Sequence, residues 1–74
     1  MQPHEQQQSD VTVLAVTLLG VKEVQRRTNL SRSTIFRLEA QGQFPRRCRV
    51  SPGRVAWSSA AIDAFIAAKL KEGQ

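Results

Sequence analysis

The sequence predicts a mainly α-helical fold with one small β-hairpin, built as a single domain. Three observations predict it. Two short helical segments are separated by a break at Asn29-Leu30, two extended runs flank Pro52-Gly53, and apolar residues recur at helical spacing toward the C-terminus. A chain of 74 residues buries only about 60% of the surface that it exposes when unfolded, so it can form one small core and no deep active site.

The N-terminal segment is predicted to be a flexible tail over residues 1–17, and the folded domain is predicted to span residues 18–72. The first ten residues, MQPHEQQQSD, show no apolar period, so little burial offsets the entropy cost of ordering them. Residues 11–19 are rich in Val, Thr and Leu, which favours an extended conformation. They form either a short strand or an apolar linker, because periodicity does not separate the two.

The first helix is predicted over residues 21–28. Gly20 is suited to the N-cap position before it. Glu23 meets the positive end of this helix and can reach back to a free backbone amide. Val21 and Val24 lie on one side, which predicts that this side packs inward.

The second helix is predicted over residues 31–41, with Ser31 as N-cap and Gly42 in the left-handed position after its end. At about 100° per residue, one side carries Ser31, Thr34, Ile35 and Leu38. The opposite side, which we expect to be exposed, carries Arg32, Ser33, Phe36, Arg37 and Ala40. The alternative is that both arginines only solubilise the helix and that Phe36 belongs to the core.

A β-hairpin is predicted over residues 46–58. Proline presets the first corner of a turn and glycine accepts the positive φ of the second, so Pro52-Gly53 marks the turn. Alternation along the first strand would place Cys48 and Val50 on one side, with Arg47 and Arg49 on the other. The hairpin therefore presents a cluster of guanidinium groups.

The third helix is predicted over residues 59–71, capped by Ser58 or Ser59. An apolar stripe at helical spacing is expected to join the core; it consists of Ile62, Phe65, Ile66 and Leu70. Alanines surround this stripe and could form a weak dimer contact. The expected oligomeric state is a monomer or a weak dimer, and either is compatible with cooperative binding on DNA.

The charge of the chain is concentrated in one segment. Lys and Arg number 11 against 6 Asp and Glu, for a net charge of +5. Residues 1–20 carry −2, residues 21–54 carry +7 from nine basic and two acidic side chains, and residues 55–74 carry 0. A surplus confined to the central segment indicates that this segment binds a polyanion.

Several classes of function are excluded by composition. The lone Cys48 forms no disulfide framework, and His4 is the only histidine, so neither a metal site nor a cofactor is expected. The sequence has no pair of carboxylates placed for acid–base catalysis, no Cys–His couple in the folded part and no glycine-rich phosphate loop. An enzyme is therefore not expected. The apolar run over residues 11–21 is too short to span a bilayer and lacks the basic flank of a signal peptide, so we expect a cytoplasmic protein without a membrane partner.

A helix, a tight turn and a second helix with an outward polar side form a helix-turn-helix unit. The second helix of such a unit enters the major groove, and its first turns meet the base edges. Residues 31–41 would form a helix about 16 Å long, which suits a groove about 12 Å wide. Free amides at its start also suit a phosphate. Double-stranded DNA is therefore the expected partner.

The residues also resemble a known family. The runs that carry the resemblance are Leu18-Leu19-Gly20-Val21-Lys22-Glu23-Val24, Leu30-Ser31-Arg32-Ser33-Thr34-Ile35-Phe36-Arg37-Leu38, Gly42-Gln43-Phe44-Pro45, Val55-Ala56-Trp57 and Ile62-Asp63-Ala64-Phe65-Ile66. Over residues 18–71 they are similar to the AlpA-type regulators of phages and prophages. These regulators belong with excisionases and MerR-like winged helix-turn-helix domains.

The resemblance implies a winged helix-turn-helix with the hairpin as the wing. It further implies a small bacterial, nucleoid-associated regulator of transcription, an excision factor, or both. Three features depart from the family pattern. Phe36 stands where tyrosine is usual, which would remove a hydroxyl contact to phosphate. Gly20 replaces a polar cap and the tail before Leu18 is longer, and these two departures bear on stability more than on function.

The expected roles of the arginines differ. Arg32 lies in the first turn of the second helix, where a bidentate contact to guanine is available, whereas Arg37 reaches the DNA backbone or braces the hairpin. The hairpin arginines are expected to contact phosphates. The full set of predicted DNA-contacting residues is Ser31, Arg32, Ser33, Thr34, Phe36, Arg37, Arg46, Arg47, Arg49 and Arg54.

The alternative from another class is a protein-interaction adaptor. It would dock on an integrase or other recombinase, or on RNA polymerase, through the alanine-rich third helix or residues 11–19. Such an adaptor with no role on DNA would not show tight duplex binding that falls steeply with salt concentration.

Overall fold

The computed structural model describes residues 16–73, so residues 1–15 of the predicted tail and strand lie outside the described part. The elements in chain order are β1 (Leu18–Leu19), α1 (Val21–Thr28), α2 (Arg32–Ala40), β2 (Cys48–Ser51), β3 (Arg54–Ser58) and α3 (Ser59–Glu72). They confirm the mainly helical fold with a β-hairpin, in an arrangement compatible with a winged helix-turn-helix. Over residues 16–73, no helix has the length and apolar character needed to cross a membrane. The domain boundaries stay a prediction.

The three strands form one antiparallel sheet in the order β1-β3-β2. Of the strand predicted over residues 11–19, the described part pairs only at Leu18 and Leu19, which lie opposite Ser58 and Trp57. Thr17 extends this attachment, because its N–H donates to Ser59 Oγ at 2.9 Å and its carbonyl accepts from the Ser59 N–H at 2.8 Å.

The ends of α1 and α2 follow the predicted cap residues. Gly20 precedes α1 as its N-cap, and Asn29 ends it in the left-handed conformation with φ of 62°. Ser31 caps α2 by accepting the Thr34 N–H at 3.2 Å. Gly42 adopts φ of 74° after this helix, as predicted, and glycine takes such an angle without the steric penalty of a Cβ. The two helices are therefore separated only by the segment between Asn29 and Ser31.

The hairpin forms around the predicted turn, where Gly53 has φ of 79°. The register places Arg49 opposite Val55 and then shifts, so that Ser51 lies opposite Arg54. This irregularity interrupts the simple alternation that the sequence predicted along the first strand, since an extra residue in one strand breaks the two-residue period. Cys48 and Val50 are both exposed.

The core is one cluster to which every helix and the sheet contribute. Its buried members are Leu19, Val24, Ile35, Phe44, Trp57 and Ile62. Trp57 is fully buried, and its indole N–H donates to the Pro45 carbonyl at 3.0 Å. This bond ties the segment after α2 to β3, so the path of the chain between the second helix and the hairpin is fixed by the core.

The third helix begins at Ser59 with Ser58 as its N-cap, which decides between the two predicted caps. The prediction that its apolar stripe joins the core is confirmed at Ile62, which is fully buried. The prediction is wrong at Leu70, whose exposed fraction is 66%. Leu70 lies about 12 Å along the helix from Ile62 at 1.5 Å per residue. The end of α3 therefore extends past the small core, and helical spacing alone does not indicate where a core ends.

Candidate nucleic-acid interface

The predicted DNA-contacting residues lie on α2 and on residues 46–58, and we call this surface the helix–wing face. Thr34 and Phe36 are half-buried. The exposed members of the set are Ser31, Arg32, Ser33, Arg37, Arg46, Arg47, Arg49 and Arg54. Residues of both predicted groups are therefore accessible, and Arg32 of the helix and Arg47 of the hairpin group lie over the same Phe36 ring. A cleft separates α2 from the hairpin.

That cleft lies between α2 and the hairpin and has a volume of about 690 Å³. Three arginines line it, and they lie in β2 and in the segment that leads into β2. The lining residues are Phe36, Glu39, Ala40, Gly42, Arg46, Arg47, Arg49 and Val55. Three arginines thus face the cleft against the single carboxylate of Glu39, and this positive surplus suits an anion.

The first turn of α2 is ordered by its own hydroxyl groups. The Ser31 hydroxyl donates to Thr34 Oγ1 at 2.8 Å while its oxygen accepts the Thr34 N–H. Ser31 Oγ also lies 3.4 Å from Ser33 Oγ. These contacts fix the turn from which the exposed Arg32 projects, so the backbone under the predicted base contact is well defined.

The position of Phe36 differs from the one that helical spacing predicts. Its ring was predicted to lie on the exposed side of α2, but it is half-buried and packs against the core, with its centroid 6.2 Å from that of Trp57. Trp57 of β3 lies beside the ring, so this part of the helix surface joins the core. The guanidinium carbons of Arg32 and Arg47 lie 5.3 Å and 5.1 Å from the ring centroid, within the range of cation–π attraction.

Glu39 is the residue of this face that sequence reasoning missed. Its Oε2 accepts the backbone N–H of Arg47 at 2.7 Å, and its Oε1 lies 3.4 Å from Arg47 Nε. Only 11% of the Glu39 side chain is exposed, so these bonds are partly shielded from water. One signal could have identified it, because Glu39 is the only acidic residue between Glu23 and Asp63, in a segment rich in arginine.

Glu39, and not Arg37, braces the hairpin segment against α2. In the described residues, the side-chain hydrogen bond that joins this helix to the segment entering the hairpin is the one from the Arg47 backbone to Glu39. Arg37 is exposed. Of the two roles predicted for Arg37, bracing is therefore performed by another residue, and contact with the DNA backbone stays a prediction.

The remaining arginines of this face have no neighbouring acid. Within residues 16–73, no carboxylate lies within 4.0 Å of the guanidinium groups of Arg32, Arg37, Arg46, Arg49 or Arg54. Closely spaced like charges repel one another and raise the local positive potential. The helix–wing face is therefore strongly electropositive.

The surface formed by α1 and α3, which we call the paired face, differs. Glu23 bonds to Arg26 at 2.6 Å and to Arg27 at 2.9 Å, and these bonds lower the pKa of Glu23 below its ordinary value and raise that of Arg26. The prediction that Glu23 reaches back to a free amide is wrong, because the neighbouring guanidinium groups bind its carboxylate. Two further pairs are Arg27 with Asp63 at 3.8 Å and Lys69 with Glu72 at 3.4 Å.

Comparison with known proteins identifies one family. Residues 17–70 match the family described as prophage CP4-57 regulatory protein (AlpA). No curated protein and no solved structure gives a significant match. The matched residues include α1, α2, the hairpin and most of α3, which is well over half of the chain. The chain therefore belongs to the AlpA family of prophage regulatory proteins.

Proposed function

We propose that this protein is a sequence-specific, double-stranded-DNA-binding regulator of phage or prophage genes. In this proposal residues 31–41 enter the major groove and residues 46–58 act as the wing. The observation that carries it is the helix–wing face, where Arg46, Arg47 and Arg49 line a cleft beside α2. Among these three arginines, only Arg47 has a carboxylate of the described residues within 4.0 Å, that of Glu39. The family of regulatory proteins to which the chain belongs supports a role on DNA.

The geometry of α2 supports insertion into the groove. Its nine residues make a helix about 14 Å long, and its exposed first turn carries Arg32 beside the hydroxyl groups of Ser31 and Ser33. Arginine reads guanine through two parallel hydrogen bonds in the major groove. Arg32 is therefore the residue proposed to distinguish one base pair from another.

The hairpin arginines are proposed to bind phosphates. Arg46, Arg47, Arg49 and Arg54 are all exposed. Of these four, only Arg47 contacts a carboxylate or an aromatic ring of the described residues, so packing does not explain the other three. Each contact to a phosphate releases condensed counterions and adds about 0.9 to the slope of log affinity against log salt concentration. This term strengthens binding to every sequence, whereas the α2 contacts select among sequences.

A salt titration on one duplex tests the proposal. The double variant Arg47→Ala/Arg49→Ala should lower the slope by about 2 and weaken specific and non-specific binding alike. The matched control is Lys69→Ala/Lys71→Ala, which removes the same charge from the paired face and should leave the slope nearly unchanged. Equal slopes for wild type and the arginine variant would contradict the wing assignment and favour an acidic protein as the partner of these arginines.

Regulation and excision are distinguished by where the protein binds. A footprint at a promoter of prophage genes that changes transcript levels supports a regulator of transcription. A footprint at an attachment site, with a change in excision frequency, supports an excision factor. Both outcomes use the same DNA-binding surface, and a protein that binds neither site contradicts the proposal.

A further inference from the structure

A single aromatic ring contacts both groups of arginines on the helix–wing face. Phe36 lies on α2, one helical turn after Arg32, and Arg47 approaches the same ring from the segment that enters the hairpin. The ring itself rests on the buried Trp57. The two guanidinium groups therefore share one support that is fixed to the core.

We propose that Phe36 is a positioning residue, which holds Arg32 and Arg47 as one coupled pair and need not touch DNA itself. The inference rests on the proposed function, since it assigns the way in which the helix and the wing of that site are linked. It would mean that the base contact and the phosphate contact are presented together, and that losing either arginine changes the position of the other.

The distances support a coupled pair. Each guanidinium carbon lies within about 6 Å of the ring centroid, the range over which a cation is attracted to an aromatic face. The two carbons are therefore no more than about 10 Å apart. Nucleotides along one DNA strand rise by about 3.4 Å each, so the pair spans at most about three base pairs.

Arg47 is held more firmly than the other arginines of this face. Its guanidinium contacts the ring while its Nε lies 3.4 Å from Glu39 Oε1, and its backbone N–H donates to the same carboxylate. A side chain that is already held loses less rotamer freedom when it binds. In the described residues, neither a carboxylate nor an aromatic ring is in contact with the guanidinium groups of Arg37 and Arg49, so these two serve as an uncoupled reference pair.

Two substitutions distinguish the effect of the aromatic face from the effect of apolar packing at this position. Phe36→Tyr retains the aromatic face, whereas Phe36→Leu retains an apolar group against Trp57 and removes that face. Trp57 is the only tryptophan of the chain, so its fluorescence reports in thermal melts whether each variant is folded. Coupling that depends on the ring should persist in the tyrosine variant and disappear in the leucine variant.

The first measurement is a double-mutant cycle of duplex affinity, with Arg32→Ala, Arg47→Ala and the double variant. We expect the fold-loss of the double variant to differ from the product of the single losses by at least about twofold, as for residues in one network. The cycle of Arg37→Ala and Arg49→Ala should give the simple product. A simple product for the Arg32 and Arg47 cycle in the wild-type background would overturn the inference, and this arm requires no substitution of Phe36.

The second measurement needs no DNA. In the free protein, protons of the Arg32 and Arg47 side chains should show ring-current shifts in NMR spectra that persist in Phe36→Tyr and vanish in Phe36→Leu. Absence of these shifts in the wild type would overturn the positioning role. Failure of the wild type to bind any duplex would instead overturn the proposed function, so the two failures are distinguishable.

Discussion

The helix–wing face and the paired face use the same residue types in opposite ways. On the paired face, Glu23, Asp63 and Glu72 each lie within 4.0 Å of a basic side chain. On the helix–wing face, only one of the six arginines, Arg47, lies within 4.0 Å of a carboxylate of the described residues, that of Glu39. The two faces differ in the position of their acidic residues more than in the number of their basic ones, and this difference leaves the positive charge of the helix–wing face largely unpaired.

The unequal distribution has an energetic consequence. Arginines without neighbouring acids repel one another, which opposes the compact state, and a bound polyanion would relieve this repulsion. Exposed ion pairs such as those of the paired face contribute little to stability. The arginines of the helix–wing face should therefore govern binding with small effects on folding, while the ion pairs of the paired face should affect neither strongly.

The largest contrast is expected between Arg32 and Arg26. Arg32→Ala should remove about 1–3 kcal/mol of discrimination, which is about 5–150-fold in the ratio of affinities for specific and random duplex. Arg26→Ala removes the same charge from the paired face and should leave that ratio unchanged. Competition binding with both duplexes measures it. Equal weakening on both duplexes by Arg32→Ala would reassign this residue to the phosphates.

The next contrast is between the two carboxylates Glu39 and Glu23. Glu39→Ala leaves the Arg47 backbone N–H without its partner and should destabilise the fold by about 1–3 kcal/mol. Glu39→Gln retains an acceptor oxygen and should recover part of this loss. Glu23→Ala, on the exposed paired face, should have a smaller effect. Urea unfolding followed by Trp57 fluorescence compares the three variants, and equal losses at both positions would contradict the bracing role of Glu39.

Local elements were predictable because their determinants are local. Caps and turn residues fix helix ends, so Ser31, Gly42 and the Pro52-Gly53 turn lie where the sequence places them. The limits of α1, Val21–Thr28, are the predicted ones. Such features depend on a few neighbouring residues whose backbone preferences are strong.

Contacts between elements were not predictable in the same way. Phe36 lies on the polar side of its helix by spacing, yet it packs beside the buried Trp57. Leu70 continues the apolar stripe of α3, yet it lies beyond the core. The bond from Arg47 to Glu39 joins residues from different elements. Helical periodicity reports which side of an element is apolar, and it carries no information on which other element will pack there.

A smaller contrast compares the two serine caps. Ser31 caps α2 on the helix–wing face, and Ser58 caps α3 by accepting the Ala61 N–H at 3.3 Å. Replacing either by alanine should destabilise the fold by about 1 kcal/mol, which lowers the melting temperature by about 4–8 °C for a domain of this size. Only Ser31→Ala should also weaken DNA binding, because it disorders the turn that presents Arg32. Equal loss of affinity in both variants would indicate an effect through stability alone.

The smallest effect is expected from the acid titration of Glu23. Its pKa is lowered from the ordinary value of 4.5 because Arg26 and then Arg27 donate hydrogen bonds to its carboxylate. A carboxyl group whose pKa is lower in the folded state stabilises that state above its unfolded pKa, and the contribution is lost as the pH falls through the folded pKa. Thermal melts of wild type and Glu23→Gln should therefore differ slightly at pH 7 and converge below pH 4.5. Added salt should also reduce the difference at neutral pH, since the pair is exposed and screened. A difference that grows toward acid would show that Glu23 stabilises the fold in its protonated form, and the paired face would then need another explanation.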